Sequence, residues 1–400
     1  MIAAVLATVV MLAAAIGVYA YFGYPAMLVA VAKLSSRRAV HRQPPTQWPQ
    51  VTITLPAYNA EHTLRPVLEA LVAVDYPADR RRILVVSDGS TDGTDDLVRS
   101  YGGQGVELLR LEGRLGKTEV ENRAMSAMQG EIVVNTDASV TVHPGAVKAL
   151  VAALGDETVG VASARDISIA SVGAQGHASE AAYVGYEMWV RGLETEVDGI
   201  IGSSGCLYAA RTELHRRVLP GHLSRDFSSA LWARLNGYRA VSVDDALCFV
   251  PRAASMQVEY RRKIRTMSRG IQTLFYHAQL MDPWRYGAFA WMLLSHKLVR
   301  WLVPWCLLAI AIAVPLLGYV GFRDGAPWAA LALAVLGGEI ACLALAAAGW
   351  WWPTSGKPPR LLAAAAYFVT GNVAGIVAWW RALTDQRAPV WEPTPRAMQR

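Results

Sequence analysis

The sequence predicts an α/β domain held between membrane-spanning helices, and three observations predict it. Apolar runs long enough to cross a bilayer lie at residues 2–31 and beyond about residue 283. Between residues 51 and 136 short strand-like and helix-like segments alternate, which implies a parallel sheet covered on both faces. The conspicuous polar residues of that stretch fall where strands end, the edge at which such sheets bind ligands.

Composition agrees. Of 400 residues, 53% are hydrophobic and 18% charged, too apolar for a wholly soluble chain and too charged for a membrane bundle alone. The formal net charge is +6. Its basic residues gather beside apolar runs, as in Arg37-Arg38 and Arg261-Arg262-Lys263, a distribution that fits an anionic membrane face better than a nucleic acid. Cys206, Cys248, Cys306 and Cys342 form no CxxC pair, so neither a disulfide framework nor a zinc site is implied.

Residues 2–31 read as a retained span, because no basic region precedes the run and it is longer than a cleaved signal. Lys33, Arg37, Arg38 and Arg42 follow at once and place the next segment in the cytosol. Pro44, Pro45 and Pro49 make a stiff linker. Strands are then expected at 51–55, 82–87, 106–111 and 131–136, with helices at 61–74, 94–101 and 117–128. Segments 301–320, 328–348 and 361–380 are each long enough to span, with tryptophans clustered near their ends. Residues 256–280 mix arginines with Ile264, Met267, Ile271, Leu274 and Phe275 at helical spacing; this is an amphipathic helix on the membrane surface or an ordinary domain helix. One span before the domain and three after it put the C-terminus outside, yet Arg381, Arg387, Arg396 and Arg400 argue for the inside. One apolar stretch is therefore expected to be re-entrant or interfacial.

Four segments carry candidate chemistry. Leu55-Pro56-Ala57-Tyr58-Asn59-Ala60-Glu61 ends one strand, and Asp88-Gly89-Ser90-Thr91-Asp92-Gly93 ends the next; alone, each reads more readily as an acidic turn than as a ligand site. Glycines let the backbone approach a ligand, and a carboxylate there can accept hydrogen bonds from a nucleobase or ribose. Gly113-Arg114-Leu115-Gly116-Lys117 lacks Walker spacing, but its two cations beside a helix start suit a diphosphate. Asp137, in Asn135-Thr136-Asp137-Ala138-Ser139, is a candidate ligand for Mg2+ or Mn2+, hard ions that take oxygen donors and bridge to phosphates.

Together these segments resemble the membrane-embedded family 2 glycosyltransferases, the group that includes hyaluronan, chitin-oligosaccharide and cellulose synthases, over residues 51–270. The resemblance implies a GT-A-type, Rossmann-like nucleotide-sugar domain with flanking transmembrane helices. It implies that Pro56, Tyr58, Asn59, Glu61, Asp88 and Gly89 hold the nucleotide, usually uridine. Lys117 and Asn122 resemble the family's GKxxALN segment, and Asp137 matches the first aspartate of its DxD metal motif. Gly202-Ser203-Ser204-Gly205 resembles an acceptor-side glycine segment, although by spacing alone it is equally a glycine-rich turn. Asp226 matches the last aspartate of an acidic pair, the general base; its residue-level alternative is a carboxylate complementing the dipole of a helix capped by Ser224 and stopped at Gly237. Arg262 and Arg265 are candidates for neutralising a leaving diphosphate, or part of a solvated charge run.

Three departures stand out. Ser139 replaces the second carboxylate of DxD, Arg225 replaces the acidic neighbour of Asp226, and the QxxRW signature of processive enzymes is missing. The expected organisation is a transmembrane helix at 1–33, a linker at 34–50, a cytosolic transferase domain at 51–255, an interface helix region at 256–285, transmembrane helices at 286–383 and a tail at 384–400. The expected activity is inverting transfer from a nucleotide sugar, with uridine diphosphate as carrier, to a polysaccharide or lipid-linked acceptor at the cell membrane. Membrane lipids are the expected surroundings, nucleic acid is not a partner, and an oligomer or secretion partner is compatible. Two alternatives stay open: addition of a single sugar to polyprenyl phosphate or another lipid, and an inactive nucleotide-binding scaffold.

Overall fold

The computed structural model describes residues 1–34, 40, 45–169, 178–251, 255–353 and 358–384, so the tail and most of the basic linker lie outside the described residues. Helices α1 (Ile2–Val18) and α2 (Tyr24–Leu34) join through a π-helical turn at Tyr19–Gly23 into one rod of 33 residues. β1 (Val51–Ala57) is buried throughout, as expected of a strand covered on both faces. Helix α3 (Glu61–Val72) presents Leu64, Val67, Leu68 and Leu71 on one stripe to the core. β2 (Arg81–Asp88), α4 (Thr94–Arg99), β3 (Val106–Leu111), α5 (Lys117–Ala124) and β4 (Ile132–Thr136) complete the alternation. There follow β5 (Thr141–Val142), α6 (Ala146–Leu154), β6 (Val159–Ile169), α7 (Ala178–Val197), β7 (Leu207–Arg211), α8 (Thr212–His215), α9 (Arg225–Leu235) and β8 (Arg239–Pro251).

Among the described residues the strands form one eight-stranded sheet in the order β3-β2-β1-β4-β7-β6-β8-β5. Strands β1 to β4 are mutually parallel where they pair, and the crossover helices lie between them. The wholly parallel sheet expected from the alternation is corrected beyond that point. β7 runs antiparallel to both β4 and β6, so the sheet is mixed. The alternation that signals a parallel sheet ends at β4; β6 and β7 are separated by the 20-residue α7 and carry no such signal.

The C-terminal elements are α10 (Met256–Tyr276), α11 (Pro283–Leu293), a π-helical turn at Leu294–Val299, α12 (Arg300–Arg323), α13 (Ala329–Trp350) and α14 (Arg360–Leu383). The chain bends within α11 at Gly287, whose φ is 50°. Among the described residues four helical stretches are long and apolar enough to cross a membrane: Ile2–Leu34, Pro283–Arg323, Ala329–Trp350 and Arg360–Leu383.

Two features fasten these helices to the α/β domain. An apolar cluster unites Tyr24 and Leu28 of α2, Val190 of α7, Phe227 and Leu231 of α9, and Phe289 and Met292 of α11. A buried polar clasp lies beside it. Tyr24 Oη donates to Glu194 (2.6 Å), His296 bridges Glu194 (2.6 Å) and Glu187 (3.0 Å), and Arg300 pairs with Glu187. Buried charges persist only when paired in this way, and losing one partner strands the other.

Candidate active site

A cleft of about 690 Å³ opens at the carboxyl ends of β1 and β4, where a sheet of this kind binds ligands. Its lining joins Tyr58 and Asn59 after β1, Arg114, Lys117 and Glu121 around the start of α5, and Asp137 and Ser139 after β4. Gly205, Ser224, Arg225 and Asp226 line it from the β7 and α9 side, and Arg262, Arg265 and Arg269 from α10. Six lysine or arginine side chains face three carboxylates, an excess of positive charge suited to a diphosphate.

The nucleotide-side candidates divide into two groups. Tyr58 and Asn59 line the cleft, and the guanidinium of Arg114 lies 4.1 Å from the centre of the Tyr58 ring. Pro56, Glu61, Asp88 and Gly89 instead build the frame. Asp88 is buried, and its two oxygens accept the N–H groups of Leu115 (2.7 Å) and Gly116 (2.9 Å), so it holds the loop that delivers Lys117. Gly89 has φ +67°, and a Cβ there would lie 2.5 Å from the Gly113 carbonyl oxygen; the close approach it permits is to the chain's own loop. Asn59 and Glu61 lace the β1 loop to the β2 loop. The Asn59 carboxamide oxygen accepts from Thr91 N–H (2.9 Å), and the Glu61 carboxylate accepts from Gly93 N–H (3.0 Å).

Lys117 and Asp137 form an ion pair at the floor of the cleft. Burial works against the Lys117 ammonium, but Asp137, Glu121 and Asp226 outweigh it and hold its pKa above the ordinary lysine value. Among the described residues no group of three or more His, Cys, Asp or Glu side chains is placed to hold a metal. Asp137 and Ser139 both line the cleft and offer carboxylate and hydroxyl oxygens, which fits a hard divalent ion that draws its other ligands from phosphates and water.

Asn122 lies away from the cleft. Its side chain exchanges hydrogen bonds with the Leu219 backbone (2.8 and 3.1 Å) and accepts from Arg225, bracketing α5 to the segment before α9. Of the glycine segment, Gly205 alone reaches the cleft. Ser203 bonds Ser229 (3.0 Å), and Ser204 donates to Asp166 (2.7 Å), so both anchor the segment from behind, with Gly202 against the Phe227 ring. A Cβ on Gly205 would lie 2.8 Å from a carboxylate oxygen of Asp226; this glycine leaves room for that carboxylate. Asp226 stands in the first turn of α9, and Ser224, at the N-cap, donates its hydroxyl to Asp226 and accepts no hydrogen bond from the helix's first N–H groups. Arg262 pairs with Glu259 (2.7 Å), and Arg269 donates to Thr118 Oγ1 (2.5 Å).

Sequence reasoning missed Glu121. It is buried on the cleft wall, 3.4 Å from Arg225 Nε. Burial raises its pKa above the ordinary glutamate range, although Lys117 and Arg225 pull the other way. The available signal was the unexplained Arg225, a cation that needs a buried carboxylate once it is placed indoors. Arg225→Met should therefore cost about 3–5 kcal/mol by stranding Glu121, and Glu121→Leu in the same chain should recover much of it. Denaturant unfolding of detergent-solubilised protein checks both.

Comparison with known proteins places this geometry. Residues 52–216 match the family Glycosyl transferase family 2. A mannosyltransferase of Pyrobaculum calidifontis, solved in complex with GDP-Man and Mn2+, superposes with a TM-score of 0.69 at 25% identity, over 94% of this chain and 99% of that one. A probable glycosyltransferase of Bacillus subtilis, YdaM, is 32% identical over 119 residues, 28% of either chain. A beta-monoglucosyldiacylglycerol synthase of Synechocystis is 30% identical over 122 residues, 30% of this chain and 26% of that one. These matches span little more than a quarter of the curated relatives' length. The parallel strands, the cleft at their carboxyl ends and these matches agree that the chain carries a glycosyltransferase family 2 domain of GT-A type, flanked by apolar helices.

Proposed function

We propose that the protein is an inverting glycosyltransferase that moves one sugar from a nucleoside diphosphate sugar onto a lipid hydroxyl at the membrane face. One observation carries the reading: α10 has two working sides. Arg262, Arg265 and Arg269 line the cleft, while Met267 and Ile271 pack against Trp379 of the apolar α14. The cleft wall is thus also the seam with the membrane helices, and an acceptor head group enters where its apolar chains already lie. The Synechocystis relative, by its name, makes a glycolipid, which supports the same class of acceptor. The domain faces the cytosol on the count of Lys33, Arg37, Arg38 and Arg42 after the first apolar helix.

The residues divide the work by position. Arg114 and Tyr58 offer a stacked surface to the nucleoside, and Lys117, Arg265 and Arg269 offer cations to the diphosphate. Asp137 and Ser139 would hold Mg2+ or Mn2+, which supplies positive charge to the departing phosphates when bound. Asp226 takes the proton of the acceptor hydroxyl. The oxygen forms its bond to the anomeric carbon as the bond from that carbon to the phosphate oxygen breaks, and the nucleoside diphosphate leaves with the electron pair. Ser224 orients the Asp226 carboxylate, and Gly205 leaves the space it occupies.

Incubation of purified protein in lipid vesicles with radiolabelled UDP-sugars and GDP-mannose, followed by product sizing, tests the reaction. GDP-mannose belongs in the panel because the structurally matched mannosyltransferase was solved with it. The expected product is one sugar on lipid; a ladder would indicate a polysaccharide, and no transfer from any donor would leave a scaffold. Asp226→Asn should keep nucleotide affinity and lose transfer by about 10²–10⁴-fold. Gly205→Ala should lower turnover without unfolding the chain, since its methyl would displace Asp226. Excess chelator should abolish transfer, with Mg2+ or Mn2+ restoring it and Asp137→Asn blunting the restoration; full activity in chelator would remove the metal.

A further inference from the structure

Among the described residues four helices are apolar enough to span, but the contacts of α14 set it apart from the other three. α12 and α13 form a hairpin whose register is set near its turn. Gly318 lies against Leu333, and Gly321 lies against Trp328. Continuing that register along both helices brings Trp350, at the end of α13, level with Trp301, at the start of α12. Both tryptophans touch α10. Trp350 meets Tyr260 with ring centres 6.1 Å apart, and a Cβ on Gly270 would lie 2.9 Å from the Trp301 ring. The domain-side ends of the hairpin therefore both rest on α10, whose arginines face the polar cleft.

α14 stays at that level over its length. Near its start, the Leu362 carbonyl and Ala366 pack on Gly349, in the last turn of α13. Thirteen residues on from Leu362, about 20 Å at the helical rise, Gly375 packs on Pro304, and Trp379 Nε1 donates to the Trp301 carbonyl (2.8 Å), in the first turns of α12. A helix that crossed would by then be about two-thirds of the way through a hydrocarbon core of about 30 Å. α14 has instead passed from one domain-side end of the hairpin to the other. It runs alongside α10 as it goes. Lys263 Nζ sits 3.4 Å over the Tyr367 ring, Met267 meets Gly375, and Phe275 meets Trp379 with ring centres 6.0 Å apart. Leu361, Phe368, Val373 and Trp380 remain exposed as an apolar surface on a helix that also carries Thr370 and Asn372.

We propose that α14 does not cross the bilayer but lies in its domain-side interface along α10, so that the chain crosses three times and the segment after α14 stays on the side of the active site. The partner of its exposed face is the lipid headgroup and upper acyl layer, into which Trp380 and Phe368 seat as interfacial anchors. This arrangement removes the conflict in the charge pattern, because Arg381, Arg387, Arg396 and Arg400 then share the side of Lys33, Arg37, Arg38 and Arg42. It also gives α10 an apolar floor, which sets the height of the arginine row above the lipid. The inference rests on the other apolar helices lying in a bilayer, and alkaline washing of membranes, which strips a protein without crossings, tests that separately.

Two single-cysteine variants in a background lacking the four native cysteines read the topology: Asp324→Cys in the α12–α13 turn and Gln399→Cys in the tail. With a membrane-impermeant thiol reagent on intact cells, Asp324→Cys should label fully and Gln399→Cys should label at least tenfold less until the membrane is permeabilised. Labelling of both in intact cells would mean that α14 crosses, and labelling of neither would mean that the α12–α13 hairpin does not; either overturns the proposal. Sugar transfer measured on the same membranes keeps this result independent of the catalytic reading.

Discussion

A single guanidinium organises the site. The Arg225 side chain is fully buried, and it donates to the carbonyls of His215 (3.1 Å) and Arg217 (3.1 Å) and to Asn122 while pairing with Glu121. These partners belong to α8, the segment after it, and α5, so one planar group with five donors gathers three parts of the chain. Its neighbour in sequence is Asp226. The first turn of α9 can present that carboxylate to the cleft because Arg225 pins the turn from behind, and α5 can present Lys117 because the same group holds its other face.

The departures from the family pattern make physical sense in this light. A carboxylate beside Asp226 in sequence is absent, but Glu121 brings one to the cleft wall from α5, with Arg225 as its counter-ion. Ser139 removes one carboxylate from the end of β4, and the remaining Asp137 is held by Lys117. The net effect is a cleft with fewer carboxylates than cations, a balance that favours a polyanionic ligand. In the place of a QxxRW segment, α10 contributes Arg262, Arg265 and Arg269.

The attachment of the domain to its apolar helices is rigid for a comparable reason. Among the described residues, Glu187 and Glu194 of α7 take their partners from His296, Arg300 and Tyr24 of the helices on either side. Separating the two layers would cost those carboxylates their partners, so the clasp and the apolar cluster around Phe227 hold the α/β domain against the apolar helices.

Much of this was legible in the sequence, because local rules act locally. The 2–31 run, the parallel β1–β4 half with its intervening helices, and the placement of Asp226 in the first turn of a helix stopped by Gly237 follow from hydropathy, periodicity and capping. Residue types also announced Tyr58, Asn59, Lys117, Asp137, Gly205 and Asp226, all of which line the cleft. Only the tertiary structure decided which motif residues face inward. Asp88, Gly89, Glu61 and Asn122 belong to the same motifs, yet they spend their hydrogen bonds or their close approaches on neighbouring loops. That choice depends on partners 24 to 97 residues away along the chain, which periodicity does not see. Hydropathy alone likewise marks α14 as a span; whether an apolar helix stands in a bilayer or lies along it is settled by the helices it packs against, because length and composition fit both.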